Sequence, residues 1–133
     1  MAQLRISEAA ELLGVSSDTV RRWVESGKVK GAGSGPLGVD ARDLARFAAD
    51  QAHTPDPGRT GQASARNRMK GIVTRVTSDQ VMSQVEIQAG PYRIVSLLST
   101  EAVREMKLEV GSVAIANVKA TNVALELPDG KRA

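Results

Sequence analysis

Cysteine is absent from the 133 residues, which excludes disulfide bonds and thiolate metal sites. Histidine occurs once, at His53, in a stretch that also contains proline. A histidine-based metal site or a serine–histidine pair is therefore not expected, and we interpret His53 as a linker residue. The aromatic residues are few (Trp23, Phe47 and Tyr92), so any core must be built from Val, Ile, Leu, Ala and Met.

Long apolar runs are missing as well, because no segment approaches the ~18 residues of a membrane-spanning helix. No signal peptide is visible in the sequence. The sequence also shows no paired carboxylates, no nucleophile–base pair and no metal-binding cluster. We therefore expect a soluble, cytoplasmic protein that has no membrane contact and is not an enzyme.

Charge of one sign does not dominate the chain, whose formal net charge is +3. Residues 1–52 hold seven Lys or Arg and seven Asp or Glu, whereas residues 64–133 hold ten and seven. The amino-terminal half is thus not basic overall. Any contact with DNA there must come from one clustered face.

The length suits one domain or two small ones. Residues 53–63 contain two Pro and two Gly among polar residues, a composition typical of a linker. We therefore predict a domain over 1–52, a flexible linker over 53–63, a second domain over 64–128 and a disordered tail over 129–133. Each small domain would bury only about 60% of its unfolded surface, so association of copies would stabilise it.

Apolar residues recur at helical spacing in the amino-terminal half. We predict a first helix that is N-capped by Ser7 and ends at Gly14. In a second helix Val20 and Trp23 fall on one apolar face, which indicates that Trp23 belongs to the core. Two helices joined by a turn with glycine, the second carrying two adjacent arginines, form a helix-turn-helix pattern.

The same half is similar to the excisionase- and MerR-like winged helix-turn-helix family. The similarity covers about residues 4–49 and rests on S-E-A-A-E-L-L-G-V (7–15), T-V-R-R-W (19–23), G-K-V (27–29) and V-D-A-R-D-L-A-R-F (39–47). The resemblance implies DNA contacts by Ser17, Thr19, Arg21, Arg22, Lys28 and Lys30. Residues 30–38, in the place of the wing, carry one Lys and no Arg but four Gly, so we expect one copy alone to bind DNA weakly.

Residues 64–71 read S-A-R-N-R-M-K-G and combine a hydroxyl, an amide and three cations without a carboxylate. Such a segment offers hydrogen-bond donors and positive charge, which suit an anion. A solvated, basic strand edge has the same composition, so this segment alone leaves both interpretations open.

Two later segments accompany it: L-L-S-T-E-A-V at 97–103, where a strand leads into a helix, and V-K-A-T-N-V at 118–123. Together the three segments resemble the Mop, or TOBE, molybdate-binding domain, over about residues 64–127. The resemblance implies a small OB-like barrel that forms oligomers and binds a tetrahedral oxyanion.

The carboxy-terminal half has the alternating pattern of short strands. We predict strands over 69–79, 81–87, 92–98, 113–119 and 123–127, with a short helix over 100–108. The two-sided apolar character of 92–98 predicts that this strand is buried. The predicted fold class is α+β: a small helical winged helix-turn-helix domain, then a five-stranded OB-like β-barrel with one short helix.

Molybdate, the ligand that the resemblance implies, is a doubly charged tetrahedron that presents only acceptors, so its site needs N–H, hydroxyl and cationic donors. By resemblance, one wall contains the segments around Arg66 and Lys119, and the other wall, around Ser99, comes from a neighbouring subunit. The full predicted set is Ser64, Ala65, Arg66, Ser99, Thr100, Ala102, Lys119, Ala120 and Thr121. Tungstate is an alternative ligand, and no metal cation is expected.

The two halves together predict a DNA-binding transcriptional regulator that senses molybdate or tungstate. Its expected partners are double-stranded DNA and copies of itself, which associate through residues 64–127 as at least a dimer, with a trimer or hexamer as alternatives. A second interpretation is a molybdate storage or homeostasis protein whose amino-terminal domain does not bind DNA productively.

Overall fold

The computed structural model describes residues 3–32, 38–52 and 66–128. The chain divides into two compact units, Met1–Thr54 and Pro55–Ala133. His53, the predicted linker and the predicted tail lie outside the described residues. No helix in the part of the chain that the structure describes is long and apolar enough to cross a membrane.

The amino-terminal unit contains three helices and a two-stranded sheet among its described residues. The chain runs from β1 (Gln3–Arg5) into α1 (Ile6–Leu13) and α2 (Ser17–Glu25), and then through β2 (Gly38–Asp40) into α3 (Ala41–Gln51). The two strands pair antiparallel, with Leu4 opposite Val39. Gly31 also bridges to Val39, which ties the segment after α2 to the sheet.

One core joins the three helices of this unit. Its buried side chains are Ile6, Ala9, Ala10, Val20, Val29, Val39, Leu44 and Phe47. Trp23 packs against this core, and its ring centroid lies 4.7 Å from that of Phe47. The prediction that Trp23 is a core residue is confirmed. The same packing turns the opposite face of α2 towards solvent.

Different interactions fix the two ends of α1. α1 begins at Ile6, because the Glu8 carboxylate accepts the Arg5 N–H at 3.0 Å and closes the first turn. Ser7 therefore lies inside the helix, and its predicted capping role is wrong. At the other end Gly14 has φ 68°, the left-handed conformation that glycine adopts without strain, as predicted.

The carboxy-terminal unit is a curled antiparallel sheet with one short helix. Its strands are β3 (Asn67–Ser78), β4 (Met82–Ala89), β5 (Tyr92–Ser99) and β6 (Val113–Val118), and α4 (Thr100–Met106) follows β5. The strand order is β5-β4-β3-β6, so β5 and β6 are the edges of the sheet. A 3₁₀ turn, Ala120–Asn122, follows β6. The predicted α+β class is confirmed.

Glycine at position 71 allows β3 to pass from one neighbour to the other. β3 pairs with β6 over residues 67–72 and with β4 over residues 72–78. A Cβ atom at Gly71 would lie 2.5 Å from the Gln88 carbonyl oxygen and 3.2 Å from the Ala89 Cα, so any side chain there would collide with backbone. The close approach at Gly71 thus supports the curl of the sheet.

The core of this unit is small and open on one side. Its buried apolar residues are Val73, Val85, Ile87 and Val103. A groove of about 600 Å³ lies over Val85 and Ile87 and is lined by apolar residues of β5 and by all of β6. We call it the edge groove, because its two walls are the edge strands of the sheet.

Two strand predictions differ from the structure. Residues 123–127 form no fifth strand, because no strand among the described residues pairs with them, although their apolar residues alternate as in a strand. Leu125, in the middle of this segment, is 88% exposed. The prediction that β5 is buried is also wrong: β5 is an edge strand, and its Leu97 is 69% exposed.

Candidate functional site

Arg66 and Lys119 adjoin the paired ends of β3 and β6, at one end of the carboxy-terminal sheet. The register pairs Asn67, the first residue of β3, with Val118, the last residue of β6. The Asn67 side-chain amide also donates to the Val118 carbonyl oxygen at 3.1 Å, which fixes the two strand ends together. The S-A-R-N and K-A-T-N segments are therefore neighbours. Two members of the predicted set lie outside the described residues: Ser64 and Ala65.

The segment that follows β6 presents its side chains to solvent. Lys119, Ala120 and Thr121 are exposed, and the Asn122 N–H donates to the Lys119 carbonyl oxygen at 2.9 Å. The salt bridges formed among the described residues include neither Arg66 nor Lys119. Two exposed cations and a hydroxyl on neighbouring segments can attract an oxyanion.

Ser99 lies at the start of α4 as its N-cap. Its Oγ accepts the Ala102 N–H at 3.0 Å, which satisfies one of the free donors of the first turn. Because Ser99 is exposed, its hydroxyl proton can be donated outward at the same time. The N–H of Ala102, in contrast, is already used by the cap.

Thr100 has a structural role inside the unit. It is 4% exposed, its hydroxyl donates to the Asp79 carbonyl oxygen at 2.9 Å, and its N–H donates to the Val81 carbonyl oxygen at 2.8 Å. The buried Ser83 hydroxyl then donates to the Thr100 Oγ1 at 2.8 Å and accepts from the Ser78 hydroxyl at 2.6 Å. This hydroxyl chain ties α4 to the loop between β3 and β4.

The hydroxyl chain changes the interpretation of the predicted donors. Thr100 has no free donor for a ligand, so the structure gives it a supporting position behind Ser99. Sequence reasoning missed Ser78, Asp79 and Ser83. The signal for Ser83 was present, because the alternating pattern of β4 places it on the same face as the buried Val85, and a buried hydroxyl needs a partner.

The two predicted walls lie beside opposite ends of strand β3. Arg66 precedes the first residue of β3. Ser99 is opposite Met82 on β4, and the next residue of β4 is opposite Ser78, the last residue of β3. β3 has 12 residues, so at about 3.3 Å per residue its ends are separated by roughly 36 Å along the strand. The two predicted walls are therefore not adjacent along the strands of one chain.

The exposed face of α2 carries charges of both signs. Arg21 donates to the Asp18 carboxylate at 2.7 Å, whereas Arg22 is exposed with its Nη2 3.5 Å from Thr19 Oγ1. Glu25 is exposed one turn further along the helix. Two cations and two carboxylates therefore lie on or beside the face that the helix-turn-helix pattern assigns to DNA. Ser17, in the first turn, is half-buried.

The beginning of the predicted wing is held by α3. Asp43 accepts the Lys30 N–H at 2.7 Å, and Arg46 donates to Asp43 at 3.0 Å and to the Lys28 carbonyl oxygen at 3.1 Å. The hydrogen bond from Arg46, followed by that from the Lys30 N–H, lowers the pKa of the Asp43 carboxyl. The side chains of Lys28 and Lys30 stay exposed. Residues 33–37 of the predicted wing lie outside the described residues.

Sequence reasoning missed Asp43 and Arg46 as supports of the wing. Their i, i+3 spacing on α3 was the available signal, because residues three apart on a helix face each other. Across residues 3–32, 38–52 and 66–128, no group of three His, Cys, Asp or Glu side chains could hold a metal ion.

Both halves of the chain match known families. The helix-turn-helix domain family matches residues 4–52, and the TOBE domain family matches residues 63–125. A probable molybdenum-pterin-binding protein of Haemophilus influenzae is 43% identical over 61 residues, which are 45% of this chain and 88% of that protein. The chain belongs to the TOBE domain family. In this TOBE protein a helix-turn-helix domain precedes the TOBE domain.

Other relatives share the TOBE domain. The molybdenum transport protein ModE of Herbaspirillum seropedicae is 37% identical over 65 residues, 48% of this chain, and the chain matches only 24% of ModE. The cytoplasmic molybdate-binding protein ModG, crystallised with molybdate bound, is 36% identical with a TM-score of 0.50 over 56% of this chain and 52% of that one. MopII from Clostridium pasteurianum is 31% identical with a TM-score of 0.47 over 50% of this chain and 100% of that one.

Proposed function

We propose that this TOBE protein is a cytoplasmic, DNA-binding transcriptional regulator that binds and senses molybdate. The observation that carries the proposal is the pairing of Asn67 with Val118, which makes the segments that contain Arg66 and Lys119 neighbours at one end of the sheet. The relatives support the choice of ligand, since ModG is a molybdate-binding protein crystallised with molybdate bound. Tungstate, a tetrahedral oxyanion of the same charge, is the alternative ligand.

The donors of the proposed site suit an anion that only accepts hydrogen bonds. Arg66 and Lys119 supply positive charge, and Thr121 and Ser99 supply hydroxyl protons. The backbone N–H groups of Ala120 and Thr121 are proposed as further, neutral donors. No metal cation forms part of the proposed site.

The site is placed between two copies of the chain, one supplying Arg66 and Lys119 and the next supplying Ser99. Large apolar side chains support association through residues 64–127. Apart from Leu12, all those described as exposed belong to the TOBE unit, with Leu97, Val81 and Leu125 among the most exposed. At least a dimer is proposed, and a trimer or hexamer would satisfy the same geometry.

The helix-turn-helix unit is proposed to contact double-stranded DNA through α2. Its Val20 and Trp23 face the core, so Arg21 and Arg22 face solvent, where arginine can bind guanine or phosphate. Copies joined through their TOBE units present several helix-turn-helix units at once, which raises the affinity for DNA. Molybdate bridges the two walls of the proposed site, which belong to different copies. Its binding therefore stabilises the assembly that presents several helix-turn-helix units.

A second candidate function is molybdate storage without productive DNA binding. The observation that favours it is the charge on α2, where Asp18 holds Arg21 at 2.7 Å and Glu25 is exposed nearby. Both carboxylates repel a DNA backbone. The Gly-rich wing sequence adds no arginine to compensate.

Two titrations test the proposal. Calorimetric titration of the protein with molybdate should show saturable heat, and molybdate at one hundred times its Kd should stabilise the fold by about 2.7 kcal/mol. No heat and no thermal shift at millimolar molybdate would refute the ligand. Selection from a randomised duplex pool should then enrich a sequence only when molybdate is present. If the protein binds molybdate but enriches no sequence even at about 50 mM salt, the storage function replaces the regulator.

A further inference from the structure

The backbone of residues 28–30 is fixed to the end of α2. The Trp23 carbonyl oxygen accepts the N–H groups of Lys28 at 2.9 Å and of Val29 at 3.3 Å. The Val29 side chain is 1% exposed and belongs to the core, whereas the side chains of Lys28 and Lys30 on either side of it are exposed. Two cations are thus held at a defined place relative to α2, the helix that is proposed to contact DNA.

Arg46 holds the same segment from α3. Its guanidinium donates through Nη2 to the Lys28 carbonyl oxygen at 3.1 Å, through Nε to Asp43 at 3.0 Å and through Nη1 to Asp50 at 3.5 Å. Asp43 in turn accepts the Lys30 N–H at 2.7 Å. The planar fork of arginine makes these bonds in three directions at once, which the single ammonium group of a lysine does not reproduce. Arg46 therefore holds one lysine directly and the other through Asp43.

The charges around this segment separate a positioning role from a direct contact. Arg46 lies within 3.5 Å of two carboxylates, those of Asp43 and Asp50, which offset its charge. The salt bridges formed among the described residues include neither Lys28 nor Lys30. Phosphate contacts fix the orientation of a protein on a duplex and supply much of its affinity. The two lysines have the free charge for such contacts, and Arg46 has the geometry that places them.

We propose that Arg46 and Asp43 are positioning residues for DNA binding, which hold Lys28 and Lys30 as a preorganised pair of phosphate contacts beside α2. The inference rests on the proposed function and adds the residues that act through the lysines. Residues 30–38, in the place of the wing, carry one Lys and no Arg, so this pair supplies cations that the wing sequence lacks. Preorganisation raises affinity, because the segment does not have to be ordered when DNA binds.

Arg46→Lys tests the positioning role, because it keeps the charge and removes the fork. The probe is a mixed-sequence DNA duplex at about 50 mM salt, where phosphate contacts dominate binding. The entropy of fixing the backbone of one residue corresponds to roughly a five- to thirtyfold change in an equilibrium constant, so we expect a loss of affinity of about this size in anisotropy titrations of the full-length protein. Arg42→Lys, at an exposed arginine one turn earlier on α3, is the matched control and should bind like the parent.

The two lysines provide a measurement that a merely structural role would not change. The double variant Lys28→Gln, Lys30→Gln should reduce the salt dependence of DNA binding by about two in the log–log slope. Adding Arg46→Lys to this double variant should weaken DNA binding no further, because Arg46 acts only through the lysines.

Amide hydrogen exchange measures the hold on the backbone without DNA. In Arg46→Lys the Lys30 N–H should exchange roughly tenfold faster than in the parent, because Asp43 loses the partner that orients it. The Val20 N–H, which donates to the Ser16 carbonyl oxygen within α2, should exchange as in the parent and serves as the internal control. Arg46 is exposed, so folding of the unit is not at risk.

The possible outcomes separate this inference from the proposed function. Equal DNA affinity of the parent and Arg46→Lys overturns the positioning role and leaves DNA binding by α2 standing. An undiminished effect of Arg46→Lys in the double lysine variant also overturns it, because Arg46 would then act independently of the lysines. An unchanged exchange rate of the Lys30 N–H contradicts the hold on the backbone. A parent protein that binds no duplex overturns the inference together with the DNA-binding role, while calorimetry judges molybdate binding separately.

Discussion

Lys119 is an exposed side chain that forms no salt bridge among the described residues, next to Thr121 and close in the register to Arg66. Lys119→Gln removes its charge but keeps much of its length. Hydrogen bonds to charged groups contribute about 1.5–3 kcal/mol, so we expect molybdate affinity to fall roughly 10- to 150-fold in calorimetric titration. Lys107→Gln, at another exposed cation, is the control. Equal affinity for parent and Lys119→Gln would remove Lys119 from the site.

Thr100 should be needed for stability more than for ligand contact. Thr100→Val keeps the shape of the side chain but deprives the Asp79 carbonyl oxygen and the Ser83 hydroxyl of a partner. An unsatisfied buried polar group costs about 1–3 kcal/mol, and urea unfolding should show a loss of this size for the TOBE unit. Thr77→Val, at an exposed position of β3, should change stability little. A Thr100→Val variant as stable as the parent would show that the hydroxyl chain contributes nothing.

The same two residues show how far a sequence motif locates a site. The K-A-T-N letters identified Lys119 as a candidate, and the register then placed it beside the S-A-R-N segment. From the sequence Thr100 was an equal candidate, because the pattern of a hydroxyl at a helix start does not show whether that hydroxyl faces solvent or a buried serine. Only the burial of Ser83 and Thr100 separates the two cases, and burial depends on strand pairing that no local pattern specifies.

The end of helix α4 stores backbone strain. Lys107 has φ 55°, the left-handed region, and is the only non-glycine residue with positive φ among the described residues. For a residue with a Cβ this conformation costs about 1–2 kcal/mol. Glycine avoids this cost, but it has more conformational freedom to lose on folding, which offsets part of the gain in stability. Lys107→Gly should therefore stabilise the TOBE unit by about 0.5–1 kcal/mol in thermal unfolding. Met106→Gly, inside the helix, should have the opposite effect, and equal shifts would contradict the argument.

Strand β4 carries a carboxylate between arginines of its two neighbours. Glu86 is buried, accepts from Arg93 at 2.6 Å and lies 4.0 Å from Arg75. The hydrogen bond from Arg93 is the main cause that lowers the pKa of Glu86 below its ordinary 4.5, against the effect of burial. Because the folded-state pKa is the lower one, this stabilisation is complete above pH 4.5 and is lost as the pH falls through the folded-state pKa.

Urea unfolding of Glu86→Gln and of the parent, from about pH 7 down to pH 3, checks this linkage. Below the ordinary pKa of Glu86, the free energy of unfolding should fall more steeply for the parent than for Glu86→Gln. Glu105→Gln, which removes an exposed carboxylate of α4, should follow the parent. Parallel curves for parent and Glu86→Gln would show that this ion pair does not set the acid sensitivity.

Helices and strands differ in how much of them was predictable. The two helices of the helix-turn-helix pattern and four of the predicted strands followed from spacing, since periodicity is local. The failures concern pairing. The alternation in 123–127 describes a strand, but a strand forms only where a neighbour offers an edge, and β5 has the apolar residues of a central strand although only β4 pairs with it.

Each of the two units has its own core, so their functions should separate on mutation. Changing both Arg21 and Arg22 to Ala should abolish specific DNA binding and leave calorimetric molybdate affinity unchanged. Each lost phosphate contact should also reduce the salt dependence of binding by about one in the log–log slope. Asp18→Asn frees Arg21 and removes a negative charge, so it should strengthen binding. A double variant that binds DNA like the parent would exclude α2 as the contact.

The edge groove and the unpaired segment 123–127 on one molecule raise the question of whether an assembly closes, because the groove of one copy could accept the segment of another. If two copies exchange strands reciprocally, a two-fold axis satisfies both grooves and growth stops. If the exchange is one-way, each addition leaves a new groove and a new strand, and the product is a ring or an open filament. Pro128 directly follows the segment 123–127 and has no N–H to extend a ladder, which would limit any pairing to a short stretch. The geometry of such an exchange would therefore decide between a closed particle and an open fibre.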